Sequence, residues 1–181
     1  MTDFSRDPVH NAIHEGIKED IRLALEHKRF RAAVLLIYAG MDAMSVLSMP
    51  ATQDDVTGAD FISWADRYIR FPCVTQVKGV DLYGARCSML HTYGAVSKMS
   101  RQGKCRMIAY ADHQIPEVRF NPSVASDLMI VSVKALMDAF FAGIDRFFVE
   151  SFADKAKGAL IEKRLQNFTM IYDRQPKDGS T

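Results

Sequence analysis

The chain has 181 residues, 48% apolar and 25% charged, enough to bury one sizeable core. Its formal net charge is +1, so bulk charge does not mark a nucleic-acid binder and any basic surface must be local. Three separated cysteines (Cys73, Cys87, Cys105) contain no C-x-x-C pair. That argues against a disulfide framework or a thiolate zinc site and fits a reducing cytoplasm.

The opening residues, "MTDFSRDPVHN", are polar and hold no apolar core, so no signal peptide is expected. Asp7-Pro8 reads as a helix start, an N-cap acid followed by proline at the first helical position. That helix runs to about Lys28, with Ile13, Ile17, Ile21 and Leu25 four apart. A second helix, from about Phe30 to Ser48, is apolar nearly all round, which predicts burial by several neighbours. Its apolar run from Ala32 to Leu47 is short for a membrane span and carries Asp42, so no membrane partner is expected. After a polar loop, Thr57 or Asp60 starts a short helix through "FISWADRYIR", and Pro72 breaks it. Gly79 precedes a helix carrying "DLYGARCSMLHTYG", with Gly94 as the residue that ends it. Residues 95–122 alternate polar and apolar in "KCRMIAYA" and again in "EVRF", which predicts a small hairpin or irregular flap. Asn121-Pro122-Ser123 then introduces a long helix to about Phe152, and an amphipathic helix follows from about Lys155 to Ile171. Residues 174–181 read as a flexible tail. The expected architecture is a single all-α domain over 1–181. It is a helical bundle of about five or six helices with a small inserted β-hairpin or flap.

Three groups of residues carry chemistry. His10 and His14 are four apart, so on an α-helix they share a face and offer a metal edge. Glu15, Glu19 or His113 would have to supply a third ligand, and an exposed polar helix face is the simpler reading. Asp42 is the only charged residue between Arg31 and Asp54, in the most apolar helix. Buried alone it would cost several kcal/mol, so it needs an arginine or several donors unless it reaches solvent at a helix edge. Arg86 supplies a candidate partner, in a bidentate pair. Tyr93, seven residues on, lies on nearly the same face as Arg86. His91, five residues on, lies about 140° around the helix, so it should point elsewhere unless the helix loosens or a second subunit completes the site.

Arg86-Cys-Ser-Met-Leu-His91-Thr-Tyr93 matches R-x4-H-x-Y. With 5 histidines and 13 arginines, chance alone supplies about one Arg-x4–6-His pair. The chain has three: Arg22…His27, Arg106…His113 and Arg86…His91. Only the last is followed by a tyrosine two residues on. The motif resembles that of the HEPN superfamily, all-α domains that include RNA-cleaving toxins and antiviral effectors. Members often carry a polar residue after the arginine, where this chain has Cys87.

The resemblance implies a cytoplasmic, metal-independent endoribonuclease without cofactors, a toxin or defence component that acts as a homodimer with two motifs facing across a cleft. His91 would be the general base on a ribose 2′-hydroxyl, since a histidine ordinarily titrates near pH 6.5. Arg86 would hold the scissile phosphate. Tyr93 would position the RNA, and a nucleotidyltransferase-type antitoxin partner could modify it. The flap adds Lys98, Arg101, Lys104, Arg106 and Arg119, with Tyr110 and Phe120 among them, a pattern suited to phosphate contact and base stacking. The plainer reading is a solvated hairpin edge that discourages strand pairing. Two other functions fit the same residues. One is a non-catalytic helical module in which Asp42 and Arg86 are a structural pair and the flap binds nucleic acid or protein. The other is a metal-dependent hydrolase built on His10 and His14.

Overall fold

The computed structural model of the chain describes residues 7–71, 77–112 and 115–168. Among these the protein is mostly helical, with one small three-stranded sheet. Helix α1 begins where Asp7 caps it: Oδ1 accepts from the Val9 N–H at 2.8 Å and from the His10 N–H at 3.2 Å. It is wound as a π-helix over His10–Lys18 and as an α-helix over Glu19–Glu26. The wider π turn puts residues five apart on one side. That buries Ile13 and Lys18 together, where a four-residue period predicts Ile17. Lys18 is 4% exposed; its Nζ donates to Asp145 Oδ1 at 2.5 Å and lies over the Phe141 ring.

Helix α2 (Phe30–Ser48) is the central element. It alone among the described helices has the length and apolar composition of a membrane span, and half of that stretch is buried inside the fold. Gly40 lets the helix carrying Phe140 approach, because a Cβ at Gly40 would lie 2.6 Å from the Phe140 ring. Helix α3 (Gly58–Tyr68) starts on a capping box in which the Thr57 and Asp60 side chains bond each other's backbone N–H. Helix α4 (Gly79–Thr92) packs on α3 so closely that a Cβ on Gly79 would strike the Ile62 carbonyl.

The C-terminal end of α4 departs from expectation. The left-handed residue is Tyr93 (φ 54°, ψ 24°), not Gly94. The Tyr93 N–H donates to the Met89 carbonyl at 3.1 Å and the Gly94 N–H to the Ser88 carbonyl at 3.3 Å.

The described residues of 95–122 form a small β flap, as expected, but not a hairpin. A short helix α5 (Lys98–Arg101) leads to β1 (Met107–Ala111) and β2 (Val118–Phe120), which do not pair with each other. Between them lies β3 (Leu128–Ser132), parallel to β1 and antiparallel to β2. The expected long helix from Asn121 therefore starts later, as α6 (Val133–Phe152). Leu128-Met129-Ile130-Val131 is a short apolar run whose period does not separate strand from helix. Two strand partners satisfy its backbone on both sides, and Ser132 ends it by accepting from the Ala135 N–H at 3.1 Å. Helix α7 (Lys155–Leu165) returns to α2. There Arg164 donates to the carbonyls of Leu47, Met49 and Pro50, capping the C-terminal end of α2 from a distance.

Candidate functional site

Asp42 projects from the middle of α2 and Arg86 from the second half of α4. The two helices pack together, and the side chains meet where both are only partly covered (30% and 22% exposed). Arg86 Nε donates to Asp42 Oδ2 at 2.9 Å and Oδ1 at 3.2 Å, and Nη2 donates to Oδ2 at 2.7 Å. This is a fork-type pair, which fixes the guanidinium plane as well as its charge. Burial alone would push the arginine pKa down, but the hydrogen bonds and charge of Asp42 outweigh it and the net direction is up. The Cys87 thiol and the Tyr83 hydroxyl flank the pair, and burial followed by the Cys87 contact pushes the Tyr83 pKa up.

The pair occupies Nε and Nη2 and leaves Nη1 without a bond to Asp42. Nη1 lies 3.4 Å from His91 Nε2, within the same chain. The helical angle between positions 86 and 91 is offset by the length of the arginine side chain, so neither an unwound helix nor a second subunit is needed for contact. A guanidinium N–H can only donate, so a hydrogen bond at this contact requires Nε2 to be the accepting nitrogen of a neutral ring. His91 is exposed, and Tyr93 is 58% exposed just beyond it.

The geometry separates this motif from Arg22…His27. Arg22 donates to Glu19 at 3.1 Å, while His27 Nδ1 sits 2.9 Å from the Leu23 carbonyl. Arg106 turns to Asp81, and His113 lies outside the described residues.

The basic residues of the flap divide. Lys98 and Arg101 lie on α5 and, with Lys104, are exposed. Arg119 is paired with Glu117 beside it on the sheet edge, which pushes its pKa up through that hydrogen bond. Arg106 is held inside the fold: its Nε and Nη2 donate to Asp81 Oδ2 at 3.2 and 2.6 Å, and its guanidinium lies over the Phe120 ring at 5.1 Å. Arg106 therefore anchors the flap to α4. The acid that does this, Asp81, is 2% exposed and does not stand out in the sequence, because it reads as an ordinary first-turn acid of α4.

His10 and His14 are also in place, with ring centroids 6.0 Å apart and His10 Nε2 3.1 Å from Glu15 Oε1. Among the described residues, no group of three or more His, Cys, Asp or Glu side chains is arranged to hold a metal ion.

A second feature, which sequence reasoning missed, borders the site. A cleft of about 740 Å³ opens beside Tyr93, between the start of α2 and the carboxyl end of β1. Lys28, Arg29, Arg31, Tyr110 and Asp112 line it with Tyr93. Its sequence signal is the run "KRFR" at 28–31, three cations in four residues. Compared with known proteins, the chain matches no family model, no curated protein and no solved structure.

Proposed function

We propose that the chain is a HEPN-like, metal-independent endoribonuclease that cleaves RNA by attack of a ribose 2′-hydroxyl. One observation carries this reading: the Asp42-braced guanidinium of Arg86 presents Nη1 within 3.4 Å of His91 Nε2. A phosphate bound at Nη1 brings its own ribose next to that nitrogen. His91 Nε2 takes the 2′-hydroxyl proton, O2′ bonds to phosphorus, and the 5′-oxygen leaves and takes a proton from solvent. The products are a 2′,3′-cyclic phosphate and a free 5′-hydroxyl. Arg86 holds the charge that grows on the phosphate oxygens, and Asp42 keeps the guanidinium in place without touching substrate. Tyr93, exposed at the mouth, steers the strand. A homodimer with two such mouths facing each other, and control by a nucleotidyltransferase-type antitoxin acting on Tyr93, belong to the same reading.

The test uses labelled RNA in EDTA with wild type, Arg86→Ala and His91→Ala. Wild type should release fragments ending in a cyclic phosphate, and each variant should lose that activity. Cleavage unchanged in His91→Ala, or none by wild type across RNAs and buffers, would reject the reading.

A further inference from the structure

The cleft beside Tyr93 has an electrostatic imbalance. Arg22, Arg67, Arg86, Arg106 and Arg119 each pair with an acid. Lys28, Arg29 and Arg31 are exposed on the cleft wall, and none forms an ion pair among the described residues. They crowd the N-terminal end of α2, where the helix dipole is already positive. That helix has no acid in its first turn and no side-chain cap at Arg29. Its first N–H groups therefore lack intrahelical acceptors. Three cations and a helix N-terminus border one cavity against a single acid, Asp112, which leaves its lining net positive.

The other walls suit a nucleotide. Tyr93 and the half-buried Phe30 and Tyr110 offer ring surface, and the volume falls in the range of small-ligand sites. Asp112 is the one acid of the lining. It repels phosphate and accepts from base amino groups, so phosphates belong at the α2 side and a base at the β1 side. Tyr93 joins this cleft to Arg86 and His91, because it follows His91 by two residues and lines the cleft. Backbone conformation marks the same place. Lys28 (φ 57°) and Tyr93 (φ 54°) are the two non-glycine residues with positive φ among the described residues, and both line the cleft.

We infer that this cleft binds single-stranded RNA next to the cleavage point, with Lys28, Arg29 and Arg31 on its phosphates. The position relative to the cleavage point rests on the ribonuclease reading; binding through these three cations does not.

The experiment measures binding of a short labelled 2′-O-methyl oligoribonucleotide, which cannot be cleaved, by fluorescence anisotropy across a salt series. The proteins are wild type, the triple variant Lys28→Gln/Arg29→Gln/Arg31→Gln, and each single variant. The triple variant should bind at least about tenfold more weakly at low salt. Its log–log salt slope should fall by about two, near 0.7 for each phosphate that is no longer neutralised. Each single variant should lose about 0.7 of that slope, a readout that a folding defect would not give. Equal affinity and slope in the triple variant overturn the proposal. So does a wild-type protein that binds a poly-glutamate peptide as tightly, or that binds only a nucleoside diphosphate and no oligonucleotide. If wild type binds through these cations but cleaves no RNA, the cleft stands and only the ribonuclease reading falls.

Discussion

Arg86 and His91, five residues apart on one helix, meet through Nη1 and Nε2 at 3.4 Å because Asp42 pins the other edge of the guanidinium from a neighbouring helix. Without that acid the arginine has many rotamers, and few of them reach His91. Asp42→Ala should therefore act twice. It removes hydrogen bonds to a charged group, which destabilises the fold by about 2 kcal/mol. It also releases Arg86, and loss of positioning should slow RNA cleavage about a hundredfold. Urea unfolding measures the first effect and single-turnover cleavage the second. A variant that unfolds earlier but cleaves at the wild-type rate would show that Asp42 serves stability only.

The sequence made the helices from α1 to α4 legible because their caps and apolar spacing are local signals: Asp7-Pro8, Thr57 with Asp60, Gly79. The pairing of Asp42 with Arg86 was legible too, since a lone acid in an apolar helix demands a donor. Other features were not, beyond the cleft and Asp81. The π turn shifts burial from Ile17 to Lys18, and only backbone hydrogen bonds reveal it. Strand β3 holds a four-residue apolar run that becomes a strand through partners supplied by β1 and β2. The meeting of Arg86 with His91 depends on side-chain reach, which the angle between Cα positions does not report.

Tyr93 occupies a left-handed backbone position that glycine fills without strain. A non-glycine residue there costs about 1 kcal/mol or more. Comparing Tyr93→Gly with Tyr93→Ala isolates the backbone, since both lack the ring. Tyr93→Gly should be the more stable by about 1 kcal/mol in urea unfolding. Both should bind RNA more weakly than wild type. Equal stability of the two variants would remove the strain argument.

Asp60 sets an acid limit on stability. Hydrogen bonds from Thr57, side chain and backbone, and then from Gln53 hold its carboxyl below the ordinary value of 3.8. Between that value and the lower native one, the unfolded chain binds more protons than the native protein. The contribution is therefore present above pH 3.8 and is lost as pH falls through the native value. Asp60→Asn keeps a side-chain acceptor but no titration. The wild-type advantage over this variant, measured by urea unfolding at a series of pH values, should shrink as pH drops below about 4. An advantage that stays constant across that window would mean that the cap bond is indifferent to charge.

Asp81 and Arg106 offer the sharpest separation of flap from site. The acid is nearly fully buried and accepts from the Arg106 backbone N–H at 2.8 Å, from its guanidinium, and from the Lys78 N–H at 3.1 Å. Gly84, one turn along α4, lets Cys105 lie flat against the helix, where a Cβ would strike the sulfur. The flap is thus tied to α4 at two neighbouring points, on the stretch before Arg86. Asp81→Ala leaves Arg106 without its carboxylate in a mostly covered place and should destabilise the protein by about 3 kcal/mol. Arg106→Ala should do comparable harm, and the double variant should be less damaging than the sum, because removing both partners leaves no orphaned charge. Urea unfolding of the four proteins gives the coupling energy. Hydrogen exchange locates it: β1 amides should lose protection in the single variants, while those of α2 keep theirs. Additive effects, or equal loss of protection across both elements, would mean that the pair does not tether the flap.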